Sequence, residues 1–214
     1  MTGVLLALEG IAGAGKSTMR DRLLEGARYD GVPLAHVGQF SWLSLEATRT
    51  VIELRAGRPA RTAEQALRAM RRDLELHARH NLIPALRLGA VIADRLTLST
   101  ACLLALVHDL PVADCVRELA EVPAARADLT VLLTTPLELC HGRISDRATR
   151  RRFGEDAQTA SRLAELFDLA VTVWTDTTGL PVLRHSCATQ PDLAWLVAEC
   201  RARLMRSAAT TMRI

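Results

Sequence analysis

Short apolar runs alternate along the chain with longer segments in which apolar residues recur every three or four positions. Short apolar runs bounded by polar or turn residues are typical of strands buried on both faces of a parallel sheet. We predict strands at residues 4–8, 33–37, 90–93, 129–133 and 180–183. Strands that alternate with helices favour a three-layer α/β/α sandwich around a parallel sheet.

The segments between the predicted strands have helical periodicity, most clearly after Thr62. Thr62 and Gln65 form a capping-box sequence. The core face of the long helix that follows is predicted to comprise Leu67, Met70, Leu74, Ala78, Leu82 and Leu86. His77 and His80 lie one turn apart on this helix. Because no carboxylate or cysteine stands at ligand spacing from them, we interpret both as an ordinary helix surface and not as a metal site.

Residues 10–17 carry the most specific motif in the chain. Gly10, Gly15, Lys16 and Ser17 match G-x-x-x-x-G-K-[ST], a phosphate-binding loop or P-loop. Glycines let successive backbone N–H groups face an anion, and the next helix adds its positive N-terminal end. Lys16, the only lysine in the chain, is expected to reach the β and γ phosphates, and Ser17 to hold Mg²⁺. The predicted nucleotide-binding residues of this loop are Gly10, Ala12, Gly13, Ala14, Gly15, Lys16, Ser17 and Thr18.

Asp94 and Arg95 follow the third predicted strand, which places them at the carboxyl edge of the sheet beside the P-loop. A carboxylate there can hold Mg²⁺ or its water, or accept a proton from an attacking hydroxyl. Arg95 can clamp a donor or acceptor phosphate. The alternative is a surface ion pair at a helix start. We predict Asp94 as a catalytic and metal-binding residue, and Arg95 as a catalytic and substrate-binding residue.

Gln39, Phe40 and Trp42 follow the second predicted strand and are therefore expected at the same edge. The two aromatic side chains can stack on a ring of the substrate. Packing of both rings under a loop is the alternative. We predict all three residues to be substrate-binding.

Arginines cluster between positions 143 and 152, where the residues are Arg143, Arg147, Arg150, Arg151 and Arg152. Such a run is often a solvated charged face. A nucleic-acid patch is a second interpretation, but the interleaved aromatic residues that stack on bases are missing. The third is a lid over the P-loop, since guanidinium groups suit the charge that spreads over a transferring phosphoryl group. We favour a lid at about residues 142–155, with Arg143 and Arg147 as catalytic residues.

Composition sets the broad class of the protein. The length of 214 residues and the 49% hydrophobic content suit one domain over residues 1–214, and the net charge of +3 suits a small anionic ligand. The five cysteines are scattered without a C-x-x-C motif, which favours a reducing cytoplasm. The chain shows no signal-peptide pattern and no long apolar run, so we predict no membrane partner. Because the arginine cluster lacks interleaved aromatic residues, we also predict no nucleic-acid partner.

Several stretches together resemble the thymidylate kinase family. They are residues 8–18, the approach to Asp94-Arg95 at residues 83–95, Thr135-Pro136-Leu137-Glu138, Arg143-x-x-Asp146-Arg147 and Ala188-Thr189-Gln190-Pro191. The resemblance implies a P-loop kinase fold with sheet order 2-3-1-4-5, Mg-ATP as phosphoryl donor and often a homodimer. It also implies that Thr189 and Gln190 lie against adenine and that Arg143 contacts ATP.

The sequence departs from the family pattern on the acceptor side. The family usually carries an acidic residue where Ala12 stands, and Gln39 lies roughly where related deoxynucleoside kinases place a carboxylate base. Counting back from Pro84, its base-stacking phenylalanine falls at Met70 and its base-reading arginine at Leu74. These two positions are carried over as substrate-binding residues, and Arg49 is predicted to hold an acceptor phosphate together with Arg95.

The leading functional hypothesis is an ATP-dependent kinase that acts on a nucleoside monophosphate or similar nucleotide. The alternative is a kinase for a hydroxyl of a nucleoside or nucleoside-like natural product, including an antibiotic, with Asp94 as base. A third class is an ATP-gated module that binds nucleic acid or a protein partner. A GTPase switch is disfavoured because its N-K-x-D motif needs a second lysine.

Overall fold

The computed structural model describes residues 3–59, 62–148 and 151–211, with side chains described as far as residue 204. Its strands are Leu5–Glu9 (β1), Leu34–Val37 (β2), Ala90–Asp94 (β3), Leu129–Leu133 (β4) and Val182–His185 (β5). They pair in parallel in the order β2-β3-β1-β4-β5, the order that the family resemblance implied. The predicted strands are thereby confirmed, with β5 displaced by two residues.

Helices connect the strands and cover the sheet. They are Lys16–Tyr29 (α1), Leu45–Arg55 (α2), Ala63–His77 (α3), Ile83–Leu88 (α4), Thr97–His108 (α5), Val112–Ala120 (α6), Leu137–Ser145 (α7), Ala157–Thr178 (α8) and Gln190–Thr211 (α9). A π-helical turn, Ala78–Leu82, joins α3 to α4. Across the described residues, none of these helices combines the length and apolar character needed to span a bilayer.

Burial along the strands explains the sheet order. Every residue of β1 and β4 is buried, whereas β2 and β5 are mostly half-buried. Strands covered on both faces need continuous apolar sequence, and edge strands do not. The central position of β1 places the loop that follows it between two flanking strand ends, where ligands bind in open α/β sheets.

The long helix predicted after Thr62 is divided. The capping box is confirmed, because Gln65 N donates to Thr62 Oγ1 and Gln65 Oε1 accepts from Thr62 N. The π-helical turn Ala78–Leu82 precedes Pro84, which lacks the N–H that a continuous α-helix would use. The interpretation of His77 as helix surface is wrong: only 2% of it is exposed, whereas His80 is exposed as expected.

α3 holds the loop after β2 in place through two side chains. The buried Asp73 carboxylate accepts hydrogen bonds from Ser41 N at 3.0 Å and from Ser41 Oγ at 2.6 Å. His77 Nε2 lies 2.9 Å from the Gly38 carbonyl oxygen, and burial lowers the pKa of this imidazole. The position of residues 38–43 therefore depends on α3.

We predict that Asp73→Ala lowers the free energy of unfolding by about 3 kcal/mol, because the buried N–H and hydroxyl of Ser41 both lose their acceptor. Chemical denaturation followed by circular dichroism measures the change. Asp114→Ala is the matched control, since Asp114 pairs with Arg117 at the surface. Equal losses in the two variants would contradict the anchoring role.

Candidate active site

The P-loop folds tightly between β1 and α1, and two of its glycines are required by space and backbone conformation. Gly10 and Gly13 have φ values of 129° and 79°. A Cβ at Gly10 would lie 2.7 Å from the Leu133 carbonyl oxygen, and one at Gly13 would lie 2.5 Å from that of Cys140. The loop therefore packs directly on the backbone at the end of β4 and within α7.

Lys16 begins α1 and turns its ammonium back into the P-loop. Its Nζ donates to the carbonyl oxygens of Gly10 at 2.9 Å and Ile11 at 2.6 Å. Burial lowers the pKa of Lys16 well below its ordinary value, and the charge of Arg95 acts in the same direction. Anionic phosphate oxygens beside this buried ammonium would favour its charged form. The geometry therefore suits a phosphate ligand.

A cavity of about 610 Å³, here called the P-loop cavity, opens above this ammonium. Most of the predicted donor-side residues line it: Ala12, Gly13, Gly15, Lys16, Ser17, Thr18, Asp94, Arg95, Arg143, Arg147, Thr189 and Gln190. Gly10 and Ala14 instead support the loop from behind. The Gly10 carbonyl oxygen accepts from Lys16, and the Ala14 carbonyl oxygen accepts from Thr135 Oγ1 at 2.8 Å.

Arg143 joins the P-loop to the segment after β5. Its guanidinium donates to the carbonyl oxygens of Gly13 at 3.2 Å, Cys187 at 2.7 Å and Ala188 at 3.2 Å. Thr189 starts α9 in a reciprocal cap with Asp192. The arginine thus ties the P-loop to the segment that leads into Thr189 and Gln190, and all of these residues line the P-loop cavity.

Asp94 lies at the end of β3 and lines the P-loop cavity together with Ser17. Asp94 Oδ2 accepts from Arg20 Nη1 at 2.9 Å, so the carboxylate has a defined orientation. Within the described residues, no group of three or more His, Cys, Asp and Glu side chains is arranged to hold a metal ion. One hydroxyl and one carboxylate fit Mg²⁺, which usually keeps waters and phosphate oxygens as its other ligands.

Arg95 occupies a constrained position between β3 and α5. Its φ of 71° is unusual for a residue other than glycine. Its Nη1 donates to the Gly10 carbonyl oxygen at 2.8 Å and to Ser99 Oγ at 3.0 Å. The buried Glu9 carboxylate holds this corner together, because it accepts hydrogen bonds from Leu96 N, Leu98 N and Ser99 N at the start of α5.

A second cavity, of about 730 Å³, adjoins the first and is called the aromatic cavity because Phe40, Trp42, Phe153 and Phe167 line it. Phe40 and Trp42 meet edge to face, with ring centroids 5.9 Å apart. The φ of Trp42 is 59°, a conformation that costs on the order of 1 kcal/mol or more outside glycine. Gln39 also lines this cavity, and its side chain donates to Thr100 Oγ1 at 3.2 Å.

The other predicted acceptor-side residues lie elsewhere. Met70 and Leu74 are 1% and 3% exposed and belong to the hydrophobic core, not to the lining of either cavity. Arg49 is exposed on α2 and also lies outside both linings. Arg55, further along the same helix, lines the aromatic cavity.

The two cavities meet at Ala12, Arg95, Arg152 and Glu155, which line both. Sequence reasoning did not single out Glu155, Arg20, Arg55 or Glu9. Arg20 stands one helical turn after Lys16, and this spacing was a usable signal. Arg150 of the predicted lid lies outside the described residues, whereas Arg151 donates to Ser145 Oγ at 3.2 Å.

No protein-family model matches the chain, whereas comparison with individual proteins finds relatives. The chain is 31% identical over 160 residues to a thymidylate kinase of Pseudomonas fluorescens (strain SBW25). The aligned region covers 74% of this chain and 76% of the relative. It is also 31% identical over 170 residues to a thymidylate kinase of Xylella fastidiosa (strain M12), an alignment that covers 77% of this chain and 74% of the relative. A probable thymidylate kinase of Archaeoglobus fulgidus is 30% identical over 146 residues, which are 67% of this chain and 70% of the relative. The chain therefore belongs to the thymidylate kinase family and is a nucleotide kinase, a phosphotransferase.

Proposed function

We propose that the protein transfers the γ-phosphoryl group of Mg-ATP to a nucleoside monophosphate. Thymidylate is the first candidate acceptor, because the relatives carry that activity in their names. The P-loop cavity would bind the donor and the aromatic cavity the acceptor, so that the reacting groups meet at the residues that line both.

The positive charge of the aromatic cavity is the observation that carries this proposal. Arg55, Arg95 and Arg152 all line it, against one carboxylate, that of Glu155. Burial lowers the pKa of Arg95, and the charge of Arg55 acts in the same direction. Guanidinium groups that repel one another in one cavity favour an anionic ligand, and a phosphate monoester provides several charged acceptor oxygens.

A phosphate acceptor also fits the position of Asp94. A hydroxyl acceptor needs a base, which is why Asp94 was assigned that role in the alternative hypothesis. Asp94 lines the P-loop cavity and pairs with Arg20, and it is not part of the aromatic cavity lining. A phosphate oxygen is already ionised near neutral pH and needs no base.

Each donor-side residue has a distinct role in the proposed reaction. Lys16 and the P-loop N–H groups would bind the donor phosphates, while Ser17 and Asp94 would hold Mg²⁺. When bound, Mg²⁺ neutralises charge on the donor phosphates. Arg95, Arg143 and Arg147 would orient the transferred group and stabilise its charge. Thr189 and Gln190 would contact adenine.

The wider setting is also a proposal. We assign residues 1–214 to a single kinase domain with a lid at about residues 142–155, and we retain a homodimer as its assembly. The cytoplasm is the proposed location, supported by the buried free thiols of Cys102, Cys115, Cys140, Cys187 and Cys200.

We predict that Lys16→Ala lowers kcat by about a hundredfold or more, because the only buried ammonium of the P-loop is lost. A coupled assay of ADP formation with Mg-ATP and thymidylate measures the effect. Arg28→Ala, on the exposed last turn of the same helix, should retain wild-type turnover. Unchanged kinetics in Lys16→Ala would remove the basis of the proposed donor site.

A second prediction concerns the acceptor. Arg55→Ala should raise KM for the monophosphate about tenfold and leave KM for ATP unchanged, because one charge-assisted contact is removed from the aromatic cavity. Arg49→Ala is the matched control, as Arg49 lies on the same helix outside that cavity. Wild-type transfer to nucleosides but not to their monophosphates would overturn the proposed acceptor class.

A further inference from the structure

A single acidic residue, Glu155, stands among the residues shared by the two cavities. Only 8% of its side chain is exposed. A buried carboxylate costs free energy through desolvation, and here it would also repel two phosphate-bearing ligands. We therefore expect this carboxylate to make an interaction that offsets the desolvation cost and the repulsion.

Glu155 makes two kinds of contact that together define such a role. Its Oε2 accepts from Arg152 N at 2.8 Å, and its own N donates to the Arg152 carbonyl oxygen at 3.2 Å. These bonds close residues 152–155 into a turn. The other carboxylate oxygen, Oε1, faces Arg147 Nη1 at 3.5 Å.

The turn has fixed supports on both sides. The ring of Phe153 lies so close to Gly57 that a Cβ there would overlap Phe153 Cδ2. Gly154 packs toward Leu163 of α8, whose Cδ1 lies 3.1 Å from a Cβ built on the glycine. Glu155 therefore belongs to a turn that is packed on both sides. Arg147, two residues after the end of α7, has a long side chain that is 47% exposed.

We propose that Glu155 is a positioning residue that holds the Arg147 guanidinium in the P-loop cavity, beside the residues that line both cavities. This inference rests on the proposed phosphoryl transfer. An arginine side chain ordered before the reaction does not lose its rotamer freedom during it. A guanidinium has five N–H donors, so Arg147 can face Glu155 and still offer donors to a transferring phosphoryl group.

Glu155→Gln is the variant that tests this role. The amide oxygen can still accept from Arg152 N, so the turn is retained while the charge opposite Arg147 is removed. We expect kcat with Mg-ATP and thymidylate to fall about tenfold, with both KM values changed less than about twofold. Glu165→Gln is the matched control, because Glu165 pairs with Arg162 at 2.9 Å on α8, away from both cavities. It should behave as wild type.

A double-mutant cycle shows whether Glu155 acts through Arg147. Once Arg147→Gln is in place, adding Glu155→Gln should lower kcat by less than about twofold. Losses that multiply would overturn the positioning role. So would unchanged kcat together with tighter binding of adenylyl imidodiphosphate by Glu155→Gln in calorimetry, because Glu155 would then merely oppose the phosphates.

Calorimetry and turnover together distinguish failure of this inference from failure of the proposed function. A wild-type protein that binds the ATP analogue but transfers phosphate to no monophosphate would refute the proposed function and this inference together. An active wild type whose kcat is unaffected by Glu155→Gln would refute the positioning role alone.

Discussion

The carbonyl oxygen of Gly10 accepts hydrogen bonds from both the Lys16 ammonium and the Arg95 guanidinium. This shared acceptor joins the P-loop, α1 and the end of β3 at one atom, and Glu9, one residue earlier, caps α5 beside it. The buried Lys16 ammonium and the half-buried Arg95 guanidinium repel each other at this carbonyl, so an anionic ligand would be stabilised beside them. The rest of the candidate site is built outward from this corner.

The proposed donor half of the site could be predicted from the sequence because its chemistry is local. The P-loop residues are consecutive, and their spacing alone places backbone N–H groups, ammonium and hydroxyl around one anion. Asp94 and Arg95 could be added because parallel strands bring their carboxyl ends to one edge. Arg143 could be predicted from the arginine cluster, and its contact with ATP from the family resemblance, but its bonds to Gly13 and Cys187 depend on tertiary packing.

The proposed acceptor half could not be predicted in the same way, because it depends on which face of a helix lines the aromatic cavity. Met70 and Leu74 were placed by counting back from Pro84, but the π-helical turn Ala78–Leu82 lies between them and Pro84. Each residue of helix rotates a side chain by about 100°, so such a count does not fix a face. Arg55 and Glu155 reach the cavities through the packing of α2 and residues 152–155, which no local pattern encodes.

The single lysine has a consequence for chemical probing. Lys16 is the only side-chain primary amine in the chain, and burial lowers its pKa well below the ordinary value. Among side chains, an amine-directed acylating reagent therefore has one target, at the floor of the P-loop cavity. The rate of that acylation reports directly on whether the cavity is open or occupied.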